Sequence, residues 1–229
     1  MARKRQPQAR RIARSDSAVV IGLGRFGRAV ALELVDQETE VLGIDEDPEV
    51  VQSLSGSLTH VVRADSTKEE ALRQLAVHEF DRAVVAVGSD LEASILTASL
   101  LISFGIRDVW AKAISEPHGR ILRQLGVHHV VYPEHDMGQR VAHLVRGRMM
   151  EYIEFEDDFA MAKTRPPAAS VGRPLSDSGI RSRHDVTVVA IKRPGEDFTY
   201  ATADAVLTER DTIIVAGRTR AVERFSELQ

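Results

Sequence analysis

Residues 18–47, AVVIGLGRFGRAVALELVDQETEVLGIDED, restrict the fold more than any other stretch of the chain. The apolar run Ala18, Val19, Val20, Ile21 leads into Gly22-x-Gly24-x-x-Gly27. A helical pattern follows, and a second apolar run, Val41 to Ile44, ends at Asp45. This order of strand, glycine turn, helix, strand and acid predicts a dinucleotide-binding unit. Gly22 permits the tight turn, Gly24 lets backbone approach a phosphate, and Gly27 lets the helix pack close to the strand. The phosphate then meets N–H groups at the helix start. Asp45 follows Gly27 by 18 residues, near the expected spacing of about 20. A carboxylate there accepts hydrogen bonds from both ribose hydroxyls and repels a 2′-phosphate, which favours an adenosine nucleotide or NAD over NADP.

Strands and helices keep alternating downstream. Asp47 and Pro48 predict an N-cap and first turn. His60 to Ala64 reads as a strand and Lys68 to Ala76 as a helix. Ala83 to Val87, Val109 to Ala113 and Val127 to Tyr132 read as further strands, with helices at Leu91 to Phe104, Pro117 to Leu125 and from Pro133 to about Met150. The strongly apolar helix at Leu91 to Phe104 is expected to be covered on more than one side. Continuously apolar strands between helices predict a parallel sheet covered on both faces. Ligands of such sheets bind beyond the carboxyl ends of the strands. The candidate residues are therefore those of the turn from Gly22 to Gly27 (Leu23, Gly24, Arg25 and Phe26 included), Asp45 with Glu46, Asp65 with Ser66, Val87 with Gly88 and Ser89, Lys112, and Glu134.

The pattern changes after Met150. Glu151 to Asp158 is acidic and amphipathic, and Lys163 to Ser170 contains a double proline. Short elements follow: a helix-like Leu175 to Ile180, strands at Asp185 to Lys192 and Thr212 to Ala216, a turn at Pro194-Gly195, and a helix at Arg220 to Leu228. The predicted organisation is a basic, disordered tail (1–16), a Rossmann-type α/β domain with a linking helix (17–150), and a small α+β domain (151–229).

Charge is unevenly placed. Six of the 30 basic residues (Arg3, Lys4, Arg5, Arg10, Arg11, Arg14) lie in the first 14 positions, so the remainder carries 24 bases against 34 acids. The tail lacks the apolar stretch of a signal peptide and reads as a solvated arm, or as a contact to anionic lipid or an acidic partner. An acidic body with few aromatics argues against nucleic-acid binding. With no cysteine, disulfides and thiolate chemistry are excluded, and no apolar run is long enough to span a bilayer. The sequence shows no nucleophile elbow, Walker lysine or zincin helix, and the eight histidines lack a ligand pair at helical spacing. Arg25 inside the turn and Lys112 at a strand end are candidates for terminal phosphates. The reading is a nucleotide-binding chain without machinery to transform the nucleotide.

GLGRFGRAV, VLGIDED, RADST, VVAVGSDLEASILTA, VWAKA and YPEHDMGQRVA together resemble the RCK (KTN) domain of KtrA/TrkA-type potassium-uptake regulators. The resemblance covers about residues 17 to 228, the second part resembling the small C-terminal domain called TrkA-C. It implies a cytoplasmic regulatory subunit rather than an enzyme, peripheral at the inner face of the plasma membrane. Homodimers assemble into an octameric gating ring beneath a membrane potassium transporter or channel subunit of the KtrB/TrkH kind.

By the same resemblance, ATP or ADP binds with Asp45 on the ribose, Asp65 and Ser66 on the adenine side, and Gly88 near the base. Arg25 and Lys112 meet the outer phosphates, and Arg25 can reach across the dimer. Glu134 takes part in a Mg²⁺, Ca²⁺ or Na⁺ site between the two nucleotides. Many members bind cyclic di-AMP in the C-terminal domain, where Arg181 and Val186 lie in the matching region. NAD or NADH is the alternative ligand, in a redox sensor or an NAD-dependent oxidoreductase on the same fold.

Overall fold

The computed structural model describes residues 16–146, 149–155 and 157–228. The basic tail expected at 1–16 therefore lies outside the described residues, apart from Asp16, which pairs with Arg82. The chain divides into two compact units, one ending at Glu134 and one beginning at His135.

The first unit is built on strands β1 (Ser17–Ile21), β2 (Glu40–Asp45), β3 (His60–Arg63), β4 (Arg82–Val85), β5 (Asp108–Lys112) and β6 (His129–Val131). They form one six-stranded sheet in the order β3-β2-β1-β4-β5-β6. Every neighbouring pair is parallel. The crossovers run through α1 (Arg25–Asp36), α2 (Pro48–Ser53), α3 (Glu69–Gln74), α4 (Leu91–Ser103) and α5 (Glu116–Gln124). Parallel strands need such crossovers, which cover both faces and explain the unbroken apolar runs.

Val19, Ile21, Val85 and Val109 pack with Leu72, Leu101 and Leu122 in one core cluster. Val20, Val41, Ala31 and Leu54 form the cluster on the other face. Burying each of the larger side chains contributes about 1.5–3 kcal/mol. Asp47 caps α2 by accepting from the Glu49 N–H at 2.8 Å, as its sequence predicts. Helix α4 buries Ser94, Thr97, Ala98 and Leu101, but Leu91 and Leu96 are each 43% exposed. Within one chain this helix is thus covered on one side, not on the several that its composition suggests.

The second unit contains the body of helix α6 (Pro133–Arg146), which starts at the end of the first unit. Its sheet is five-stranded and antiparallel, in the order β10-β9-β11-β8-β7. The strands are β7 (Glu151–Phe155), β8 (Phe159–Thr164), β9 (Val186–Lys192), β10 (Thr199–Tyr200) and β11 (Thr212–Arg218). Helices α7 (Leu175–Ser178), α8 (Ile180–His184) and α9 (Thr219–Glu227) complete it. Ala221, Val222 and Phe225 of α9 join Tyr152, Ala160, Ile213 and Val215 in its core.

The β7–β8 hairpin occupies a stretch whose acidic residues hide the alternation of its strands. Asp157 and Asp158 in its turn have φ of 62° and 57°, a left-handed conformation that short polar side chains tolerate. On α6, His143 stacks on Tyr152 with ring centres 4.3 Å apart, and its Nδ1 lies 3.1 Å from Glu223 Oε1. Burial, with the nearby Glu154 and Glu223 charges, pushes the Tyr152 phenol up to about 12.

Candidate functional site

Strand order reverses between β1 and β4, and beyond the carboxyl ends of these strands lies a cleft of about 1000 Å³. This is the switch point at which doubly wound sheets hold ligands. The glycine turn forms one wall. Gly22 has φ of 87°, which a side chain would strain, and a Cβ on Gly27 would overlap the Gly22 carbonyl oxygen. The two glycines therefore allow strand β1 and helix α1 to meet at van der Waals distance. Gly24 caps α1 with no side-chain hydrogen bond, and no acid lies in the first turn. By contrast Asp47, Asp90 and Ser115 cap α2, α4 and α5. Helix α1 alone among these four presents its leading N–H groups with no side chain of its own over them, the arrangement that favours an anion.

Of the residues expected from sequence, Gly22, Gly24, Arg25, Phe26, Asp45, Glu46, Asp65, Ser66, Val87, Gly88, Lys112 and Glu134 all line this cleft. Two do not. The Leu23 side chain is buried in the core cluster under the turn, and its N–H donates to Asp45. Gly27 lies within α1 and acts through close packing. Thr67, Lys68, Leu96 and Ile114 also line the cleft and were not singled out in the sequence. Lys68 lies three residues beyond the strand-end Asp65, at the start of the helical pattern, and that position is the available signal.

The cleft is polar at its rim and locally tied together. Asp45 Oδ2 accepts from the Leu23 N–H at 2.6 Å, and Oδ1 accepts from the Asp47 N–H at 2.9 Å. Asp65 is held below the usual carboxylate range by the Thr67 hydroxyl at 2.6 Å and the Thr67 N–H at 2.9 Å, helped by Lys68. Ser66 Oγ shares a hydrogen bond with Thr97 Oγ1 at 2.8 Å. Lys112 Nζ lies 2.5 Å from Glu134 Oε1 and 5.9 Å from the centre of the Phe26 ring. The Lys112 ammonium, the backbone at its helix start and the nearby Arg25 hold the Glu134 carboxyl below its ordinary range.

The described histidines lie outside the cleft lining. His128 Nδ1 accepts from the Val109 N–H at 3.0 Å, and His129 stacks on Trp110 with ring centres 4.0 Å apart. His118 is buried, and burial pushes its pKa down. Among the described residues no three His, Cys, Asp or Glu side chains are grouped to hold a metal ion. Arg181 and Val186 line a separate cleft of about 350 Å³ in the second unit, with Ser176, Thr187 and Thr202. There Arg181 Nε donates to Thr187 Oγ1 at 3.1 Å. Among the described residues no helix is long and apolar enough to cross a membrane.

Residues 18–133 match the TrkA-N domain and residues 161–229 match the TrkA-C domain. The chain is 34% identical over 209 residues to the Ktr system potassium uptake protein C of Bacillus subtilis (strain 168), covering 91% of this chain and 95% of that protein. It is 30% identical to the Ktr system potassium uptake protein A of the same organism, over 90% of this chain and 93% of that one. Against the Ktr system potassium uptake protein A of Vibrio alginolyticus the identity is 34%, over 86% and 90% of the two chains. Among solved structures, the GsuK RCK domain superposes with a TM-score of 0.64 at 18% identity, covering 93% of this chain and 48% of that one. The GsuK channel bound to NAD gives the same TM-score and identity, covering 93% and 39%. The chain spans less than half of those GsuK chains, and the likeness is one of fold.

Proposed function

The chain belongs to the family that joins a TrkA-N to a TrkA-C domain, that of the Ktr potassium uptake proteins, and on that premise we propose that it is a nucleotide-gated regulatory subunit of a potassium uptake system. The observation that carries this reading is the convergence of glycine turn, Asp45, Asp65, Gly88, Arg25 and Lys112 on one cleft at the switch point of the sheet. The cleft, at about 1000 Å³, is at the upper end of small-molecule sites, which run to about 1,000 Å³.

In this reading the uncapped start of α1 receives the phosphates of ATP or ADP, and Asp45 receives the ribose hydroxyls. Asp65, Ser66 and Gly88 flank the base, while Arg25 and Lys112 meet the terminal phosphates. Glu134 shares a Mg²⁺, Ca²⁺ or Na⁺ ion with phosphate oxygens and a second copy of the chain. Homodimers build a ring, octameric as in the family, at the cytoplasmic side of a membrane potassium transporter. The basic segment before Asp16 is then available to anionic lipid or to that partner. Residues 17–150 act as the nucleotide-sensing part and 151–229 as the second regulatory part, with Arg181 and Val186 as its cyclic di-AMP region. A nucleotide gates the ring only through different affinities for two ring shapes, and the terminal phosphate is where ATP and ADP differ.

The decisive experiment is titration of the purified protein with ATP, ADP and NADH, followed by light scattering and by potassium flux with the membrane partner. Tighter binding of ATP or ADP than NADH, with a change in assembly, supports the reading. Turnover of NADH with a carbonyl substrate would sink it. The competing assignment, an NAD(H) sensor, is favoured by the same Asp45, which suits either ribose, and the NADH arm decides between them.

A further inference from the structure

We propose that Glu134 is an internal stand-in for phosphate: it occupies Lys112, and a terminal phosphate displaces it, so that phosphate binding is passed to the first turn of α6. The inference rests on the nucleotide reading above and adds a contact within the chain that opposes binding until it is broken.

The two partners are unequal in freedom. The Lys112 side chain is only 11% exposed, whereas that of Glu134 is 64% exposed. Lys112 leaves the end of β5 and passes beside Gly88, where a Cβ would come within 3.1 Å of Nζ and 3.3 Å of Cε. Its ammonium is near the Phe26 ring of the glycine turn. The lysine is therefore fixed in the cleft wall, and the glutamate, standing toward water, is the partner that can leave.

The contact is short and charge-assisted, yet its solvent exposure keeps its net strength small. A terminal phosphate carries more charge than a carboxylate and reaches the same ammonium. Once Lys112 is taken, Glu134 beside phosphate is repelled and must turn outward or take up a cation. Its displacement costs little, because Glu134 is the second residue of α6, where the helix start favours an acid.

The test uses wild type, Glu134→Gln, Lys112→Met and the double variant in cation-free buffer, with ATP, ADP and adenosine as titrants. Glu134→Gln should tighten ATP by about three- to five-fold and leave adenosine unchanged. In the Lys112→Met background the same change should produce no gain. Unchanged or weaker ATP binding by Glu134→Gln overturns the proposal. So does an equal gain in the Lys112→Met background, which would reduce Glu134 to a repulsive charge. Failure of wild type to bind ATP, ADP or NADH defeats the nucleotide reading instead, so the two failures are distinct.

Discussion

The backbone N–H of Leu23 donates to Oδ2 of Asp45 at 2.6 Å, joining the glycine turn to the acid at the end of β2. With the Asp47 N–H on Oδ1, the carboxylate is held in place before any ligand arrives. A group ordered in advance loses less entropy on binding. The same carboxylate also closes the turn, so it couples stability to recognition.

Asp45→Asn removes the charge and one acceptor. Binding of ATP and ADP should weaken equally, by roughly ten-fold, because each nucleotide has the same ribose and a hydrogen bond to a charged group contributes about 1.5–3 kcal/mol. Calorimetric titration with both nucleotides measures this. A larger loss for ATP would move Asp45 away from the ribose.

Arg25 lines the cleft within the turn. Arg25→Ala should weaken ATP by about ten-fold and ADP by less, since only ATP presents the outermost phosphate to a guanidinium. The ratio of the two dissociation constants is the readout, and equal losses would refute the role.

Gly27→Ala places a methyl group against the Gly22 carbonyl oxygen. Backbone cannot yield there as a flexible side chain would, so a loss of at least 1–3 kcal/mol is expected. Urea melts should show a lower midpoint, together with loss of nucleotide binding. A fully stable variant would show that strand and helix separate more easily than their packing indicates.

His118 is buried, and burial holds its pKa below the ordinary histidine range. The unfolded chain then takes up a proton that the folded chain refuses. Stability from this group is present above the unfolded pKa and is lost as pH falls from there toward the lower folded value. His118→Gln should flatten the fall in stability as pH drops through and below the ordinary histidine value of about 6.5. Thermal melts across that window check it, and identical slopes for the two proteins would contradict the assignment.

How much could be read in advance depended on the range of the interaction. The glycine turn, the N-cap at Asp47 and the runs of β1, β2, β4 and β5 are local patterns, and each was legible. The β7–β8 hairpin was not, because Glu151 and Glu154 obscure strand alternation and the turn relies on Asp157 and Asp158 rather than glycine. Helix α4 misled in the other direction. Its composition suggests cover on several sides, whereas Leu91 and Leu96 remain exposed in the chain.

The sequence by itself determined the element order of the first unit, its parallel sheet and the residues at the strand ends, because backbone sterics and apolar periodicity act over a few positions. Only the tertiary structure decided that Leu23 would serve through its N–H alone, that Ser66 would meet Thr97, and that Lys112 would be held by Glu134. Those contacts join residues 22 to 31 positions apart. They exist because the parallel strands bring their carboxyl ends, and the helices that follow them, together on one side of the sheet, where polar groups distant in sequence come within hydrogen-bonding distance.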